Sequence, residues 1–368
     1  MTMMTKRGFS LIELLAVVAI FSVVMAGLYS AYSVQLRAGV KEYRIAESEM
    51  ELGISRGIID RDLSMAGYGL MDDYGAVSGF TLPRAVSAQE GGTDPDQLIL
   101  MGTALGIASR ASQGWTYADS VVSGVPVFMT FGDAREDVGL NDRVILMDPN
   151  TRALRADGSV WLFKYNGASA NVTLMPESST TPYSDPFTGM VVYGMNRAGE
   201  TDATQPYNAV RYYLADAASS VPPRTCAPGT RNLLRAESRT NASPTGGDPM
   251  INCVLDFQVA LGLDTDENGS IDLWDNGGAT AAGYAAKDLN KRLKQIRAYV
   301  LVQVGNRDTN YLYKNPDPDY ASTPDKIRVG DLYLAGGAVG RDYPPLSAEQ
   351  RMYRWRVVSF AITPRNVR

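Results

Sequence analysis

Twelve consecutive residues, Asp264-Thr-Asp-Glu-Asn-Gly-Ser-Ile-Asp-Leu-Trp-Asp275, put oxygen-bearing side chains at loop positions 1, 3, 5, 9 and 12, glycine at 6 and an aliphatic residue at 8. Calcium takes six to eight oxygens around a tightly turned chain, and this is the spacing of a calcium loop. Asp264, Asp266 and Asn268 are expected to supply side-chain oxygens, Gly269 the bend and Ser270 its backbone carbonyl; Asp272 acts directly or through water, and Asp275 stands where a bidentate Glu is usual. Asp is shorter than Glu, and the preceding LDFQVALGL has strand composition, unlike the entering helix of an EF-hand. The expectation is therefore one structural Ca²⁺, held with the affinity of extracellular modules, on the order of 10⁻⁴ to 10⁻³ M. An ion-free acidic turn uses the same residue types.

The remaining reactive residues are few. Histidine is absent, which removes serine-histidine and cysteine-histidine catalysis and the commonest transition-metal ligand. Cys226 and Cys253 are the only cysteines, without a CxxC spacing, and read as one disulfide in an oxidising compartment. No phosphate-cradling GxxxxGK[ST] occurs, and a net charge of −5 with no basic cluster makes nucleic acid a poor partner. Asp317 and Asp319 lie in a proline turn, NPDPDY, and Asp60 and Asp62 flank Arg61 as a solvated charge cluster. The chain is expected not to be an enzyme.

These residues need a scaffold. The N-terminus reads MTMMTKRG and then FSLIELLAVVAIFSVVMAGL, where Glu13 is the single charge in twenty residues. Twenty helical residues span about 30 Å, the thickness of a bilayer's hydrocarbon core. Lys6 and Arg7 hold the N-terminal side in the cytoplasm and place the rest beyond the membrane. From Ala31 to Ala66, Leu36, Val40, Tyr43, Met50, Ile54 and Ile58 recur at helical spacing and predict an amphipathic continuation whose stripe faces a core, ending at Gly67 to Gly69. Thereafter short apolar runs alternate with Gly, Pro, Asp and Asn. They predict strands at 97–101, 125–131, 143–147, 160–165, 189–193, 209–214, 250–254, 296–304 and 355–362, with a helix at 284–294. Insertions are expected around 165–190 and 215–250, where Ser, Thr, Pro and Gly concentrate.

Ala26-Gly27 offers a conventional signal cleavage site after the apolar run, but Gly8-Phe9 competes with it. The sequence RGFSLIELL, with Glu13 four residues beyond Phe9, resembles the class III leader of type IV pilins and type II secretion pseudopilins. IIDRDLSMAGYGL, LNDRVILMD, AVRYYLAD, VLDFQVALGLDTD and RWRVVSFAITPRN resemble, in order, segments of the PilW type of minor pilin; the long middle region does not align by eye.

The resemblance implies cleavage after Gly8 by a prepilin peptidase, methylation of the new Phe9 amine, and pairing of that amine, or a neighbouring subunit's, with Glu13. A carboxylate in an apolar helix costs about 2.5 to 3.5 kcal/mol at mid-bilayer, so Glu13 needs such a partner or must snorkel to water. The fold it implies is α+β and pilin-like: a leader at 1–8, a membrane and filament-core helix at 9–33, its amphipathic continuation at 34–69, and a β-rich head at 70–368. The implied role is a minor pilin in pilus assembly, with other pilins, the prepilin peptidase and the inner membrane as partners, the head in the periplasm and finally on the cell surface. A type II secretion pseudopilin or a pilus-tip adhesin shares these features.

Overall fold

The computed structural model describes residues 10–367 apart from 76, 107–113, 123–124, 134–136, 169–170, 178–182, 184–187, 197–202, 217 and 336. The apolar run and its amphipathic continuation form one unbroken helix, α1 (Leu11–Met65). A capping box fixes its start: Ser10 Oγ accepts from the Glu13 amide at 3.2 Å, and the Glu13 carboxylate accepts from the Ser10 amide at 3.0 Å. The helix stops where the glycines predict, with Gly67 and Gly69 at φ of +80° and +69°. A Cβ on Gly69 would lie 2.2 Å from Thr103 Oγ1, so the close approach of that side chain as well as the dihedral favours glycine.

The head begins with β1 (Val86–Gln89) and β2 (Gln97–Gly102). The chain then departs to build a second sheet from β3 (Trp115–Val122), β4 (Val125–Phe128), β5 (Arg143–Met147), β6 (Leu154–Arg155), β7 (Phe163–Ala168), β8 (Asn171–Pro176) and β9 (Val191–Asn196). It returns as β10 (Asn208–Leu214), which pairs directly with β2 in the register Ala209↔Met101. There follow β11 (Arg231–Ser238), β12 (Asp248–Leu263), β13 (Leu273–Asn276), the short helices α2 (Ala279–Gly283) and α3 (Ala286–Arg292), β14 (Leu293–Val304), the pair β15 (Ile327–Val329) and β16 (Arg341–Tyr343), and β17 (Arg354–Ile362). The main sheet is antiparallel in the order β1-β2-β10-β11-β12-β14-β17, with β13 on β12; the second runs β4-β3-β9-β5-β7-β8, with β6 on β5.

A long N-terminal helix on a large antiparallel head is the expected α+β, pilin-like architecture, and each expected strand is present, β5 at its expected bounds and the others with shifted ends. The insertions are placed differently. One excursion between β2 and β10 carries the whole second sheet, because those two strands hydrogen-bond as if contiguous. Residues 215–250 instead hold β11, an interior strand of the main sheet.

β12 and β14 are buried on both faces, which explains their near-continuous apolar runs. Alternate side chains serve opposite layers. Ile296, Ala298, Val300 and Val302 join Leu52, Ile59 and Leu63 of α1, whereas Tyr299 and Leu301 join Ile327, Val329 and Trp355 on the far side.

Candidate functional site

Gly8 and Phe9, the expected processing residues, lie outside the described residues. Glu13 is described, and its carboxylate folds back on the helix's own first turn, where it meets the Ser10 amide. A negative charge here complements the partial positive charge of the unpaired amides at a helix start. Around it Leu11, Ile12, Leu14, Leu15, Val17 and Val18 are all exposed. α1 is long and apolar enough to cross a membrane.

The stripe Leu36, Val40, Tyr43, Met50, Ile54 and Ile58 does not face the core. All six are exposed, Tyr43 at 66%, and the buried face comprises Leu52, Ser55, Ile59, Asp62 and Leu63. Both faces of the upper helix therefore carry apolar residues, and periodicity alone assigned the core to the wrong one. Only α1's last turns are held by burial; farther down, polar contacts attach it. Lys41 Nζ and Arg354 Nη2 converge on Asp308 Oδ2 at 2.9 and 3.1 Å, Arg356 meets Glu49 at 2.6 Å, and Asn252 Nδ2 donates to Glu51 at 2.7 Å. The two cations hold the Asp308 carboxyl down at about 2. Lys41 and Asp308 are 267 residues apart, and no local pattern marks the pair.

Asp62 also departs from expectation. It is 3% exposed rather than solvated, and its Oδ2 accepts from Tyr212 Oη at 2.7 Å and from Arg235 Nε at 2.6 Å. The expected disulfide is present: Cys226 and Cys253 are bonded with 5.1 Å between Cα atoms, tying the segment before β11 to β12 beside the Asn252–Glu51 contact.

In the acidic loop Gly269 makes the expected bend, at φ +94°. The carboxylates hold the loop's own donors. Asp264, fully buried, accepts from the Asn268 and Gly269 amides at 2.9 and 2.8 Å, with Lys294 Nζ at 3.4 Å. Burial raises its pKa, but these amides and the Lys294 ammonium outweigh that and hold it below the usual range. Asp266 accepts from Asn268 Nδ2, Asn268 Oδ1 from the Ser270 amide, and Asp272 from the amide and hydroxyl of Thr265. Asp275, expected at the last ligand position, lies on β13, and its two oxygens accept from the Thr280 and Ala281 amides in the first turn of α2 at 3.0 and 2.6 Å. Among the described residues, no group of three or more His, Cys, Asp or Glu side chains is arranged to hold a metal ion. The loop as it stands is closed by hydrogen bonds.

Residues 3–29 match the prokaryotic N-terminal methylation motif. No curated protein sequence matches the chain. Among solved structures, the chain is similar to a type IV-like pilin, TTHA1219 from Thermus thermophilus, at 9% identity and a TM-score of 0.32, with 87% of this chain and 97% of that one covered. The methylation motif opens into a long apolar helix whose end packs on a large antiparallel head, a pilin-like fold.

Proposed function

We propose that this chain is a minor pilin of the PilW type, cleaved after Gly8, methylated on Phe9 and packed through α1 into a type IV pilus. One observation carries the reading: beyond the methylation motif, α1 leaves apolar side chains from Leu11 to Ile58 exposed among the described residues. Such a surface needs a bilayer before assembly and other helices after it. Glu13, at the head of that surface, is then the residue that meets the Phe9 amine or that of a neighbouring subunit. The protein waits in the inner membrane with its head in the periplasm, is processed by a prepilin peptidase, and joins other major and minor pilins at the cell surface. The role is structural, without catalysis.

The pattern at Asp264, Asp266, Asn268, Ser270 and Asp272 supports a second proposal, a calcium staple in the head that does not draw on Asp275. Mass spectrometry of protein from native membranes tests the first proposal. A chain that begins at N-methylated Phe9 and co-purifies with pilins bears it out; one that starts downstream of Leu28 overturns it, and co-purification with a secretion channel reassigns the chain to a pseudopilin.

A further inference from the structure

On the face of the main sheet turned away from α1, a cleft of about 690 Å³ opens between the 311–320 segment, β15 with the 330–334 segment that follows it, and β17. That volume lies within the range of small-ligand sites. The lining is aromatic, but its polar groups decide what it takes. Tyr320 donates to Asp342 at 2.6 Å and Trp355 Nε1 to the Gln350 carbonyl at 2.9 Å, so these two are satisfied within the chain. Tyr313 is 7% exposed, yet its hydroxyl has no protein partner among the described residues. Burial pushes it up to about 12, so it remains a donor at neutral pH. The Tyr313 ring is buried while its hydroxyl opens onto the cleft, where a ligand hydroxyl can reach it.

Three further groups complete the set. Lys314 has no protein partner among the described residues. Asp331 takes Arg297 and Tyr299 on Oδ2, at 2.6 and 2.8 Å, which fixes the side chain and leaves Oδ1 as an open acceptor. Tyr333 is 82% exposed with its hydroxyl donating to Asp319, a ring tethered at its polar end and uncovered on its faces. Lys314 and Arg328 balance Asp317 and Asp331, so the lining is formally neutral.

We propose that this cleft binds a neutral oligosaccharide, with a sugar ring stacked on Tyr333 and hydroxyls exchanged with Tyr313, Lys314 and Asp331. A sugar hydroxyl both donates and accepts, which answers a lining that holds donors and an acceptor-only carboxylate together. Aromatic grooves also take proline-rich peptides, but proline has no N–H and would leave Asp331 Oδ1 without a donor. The inference is independent of filament assembly, since the cleft lies across the sheet from α1.

The test uses the full disulfide-bonded chain in a zwitterionic detergent that lacks a sugar headgroup. Saturation-transfer NMR and tryptophan fluorescence are titrated with trisaccharides of glucose, galactose and N-acetylglucosamine, and with a proline decapeptide. At least one trisaccharide is expected to bind, with affinity reduced roughly three- to tenfold in Tyr313→Phe, the loss of one hydrogen bond, and at least as much in Tyr333→Ala. Tyr333 is exposed and Phe fits where Tyr stood, so both variants should retain the wild-type unfolding temperature, which is measured alongside. No saccharide binding up to about 10 mM, binding unchanged in both variants, or binding of the proline peptide alone would each overturn the assignment.

Discussion

Tyr212 on β10 donates its hydroxyl to Asp62 on α1 at 2.7 Å, and Arg235 on β11 reaches the same carboxylate oxygen at 2.6 Å. Burial, followed by the Asp62 charge, drives the Tyr212 pKa well upward, so the hydroxyl remains a donor at any physiological pH. The triad connects the helix to two central strands inside the core. Tyr212→Phe should cost about 1 kcal/mol, the net worth of one hydrogen bond. Asp62→Ala, which leaves the largely buried Arg235 with Glu237 at 2.8 Å as its remaining carboxylate, should cost more than the tyrosine variant, about 2 to 3 kcal/mol. Chemical unfolding of the detergent-solubilised chain measures both, and equal costs would mean that the charge is compensated elsewhere.

Two carboxylates should give opposite pH responses. Asp96 is buried, and desolvation, opposed by the Gly91 and Val259 amides, raises its carboxyl to about 6. Between pH 3.8 and about 6 the folded chain holds a proton that the unfolded chain has lost, so this stabilisation is full below 3.8 and disappears as pH rises through 6. The span is worth about 3 kcal/mol. Asp96→Asn should flatten the stability profile across that window. Asp308, held at about 2 by Lys41 and Arg354, acts in reverse: its contribution is present above 3.8 and is lost as pH falls toward 2. Asp308→Asn should remove the acid-side loss.

The elements of the fold and the contacts between them were unequally visible in the sequence. The helix, its glycine stop and the alternating strands follow from local spacing, because cap chemistry and two-residue alternation act on neighbouring residues. What the helix faces does not. The stripe from Leu36 to Ile58 and the buried set from Leu52 to Leu63 are both apolar, and only the head's position decides between them. Asp62 lies beside Arg61 and Asp60 and looks solvated until β10 and β11 bring up Tyr212 and Arg235 from more than a hundred residues away. Asp275 fits a ligand position by count, but strand pairing turns it to a helix start. Long-range pairing left no trace at any of these positions.

Cys226 and Cys253 lie 27 residues apart, and closing a loop of that size restricts the unfolded chain by about 3 to 4 kcal/mol. Replacing both cysteines with serine should lower the unfolding free energy by that amount, and the unfolding midpoint with it, while leaving the secondary structure intact. Reduction of the wild-type chain should reproduce the loss, and an unchanged midpoint after verified reduction would show that the unfolded state is already constrained.

The loop from Asp264 to Asp275 gives a clear result either way. If it takes calcium, millimolar CaCl₂ should raise the unfolding temperature of the wild-type chain but not that of Asp266→Ala. Asp275→Asn should leave the calcium response in place and lower the metal-free stability, since it weakens the α2 cap by about 1 kcal/mol. A wild-type chain that ignores calcium would make the loop an acidic turn held by its own amides.

The two faces of α1 separate folding from assembly. Leu63 is buried against the main sheet, and Leu63→Ala should destabilise the chain by about 2 to 5 kcal/mol. Ile54, nine residues earlier, is exposed at 64%, and Ile54→Lys should shift stability by no more than about 0.5 kcal/mol. If the uncovered stripe packs against neighbouring helices, that same lysine buries a charge in every subunit contact and should exclude the chain from filaments recovered by shearing, although it folds, inserts and is processed normally. Incorporation at wild-type level would leave the stripe without a role in packing, and the interface would then have to lie on the apolar run nearer Glu13.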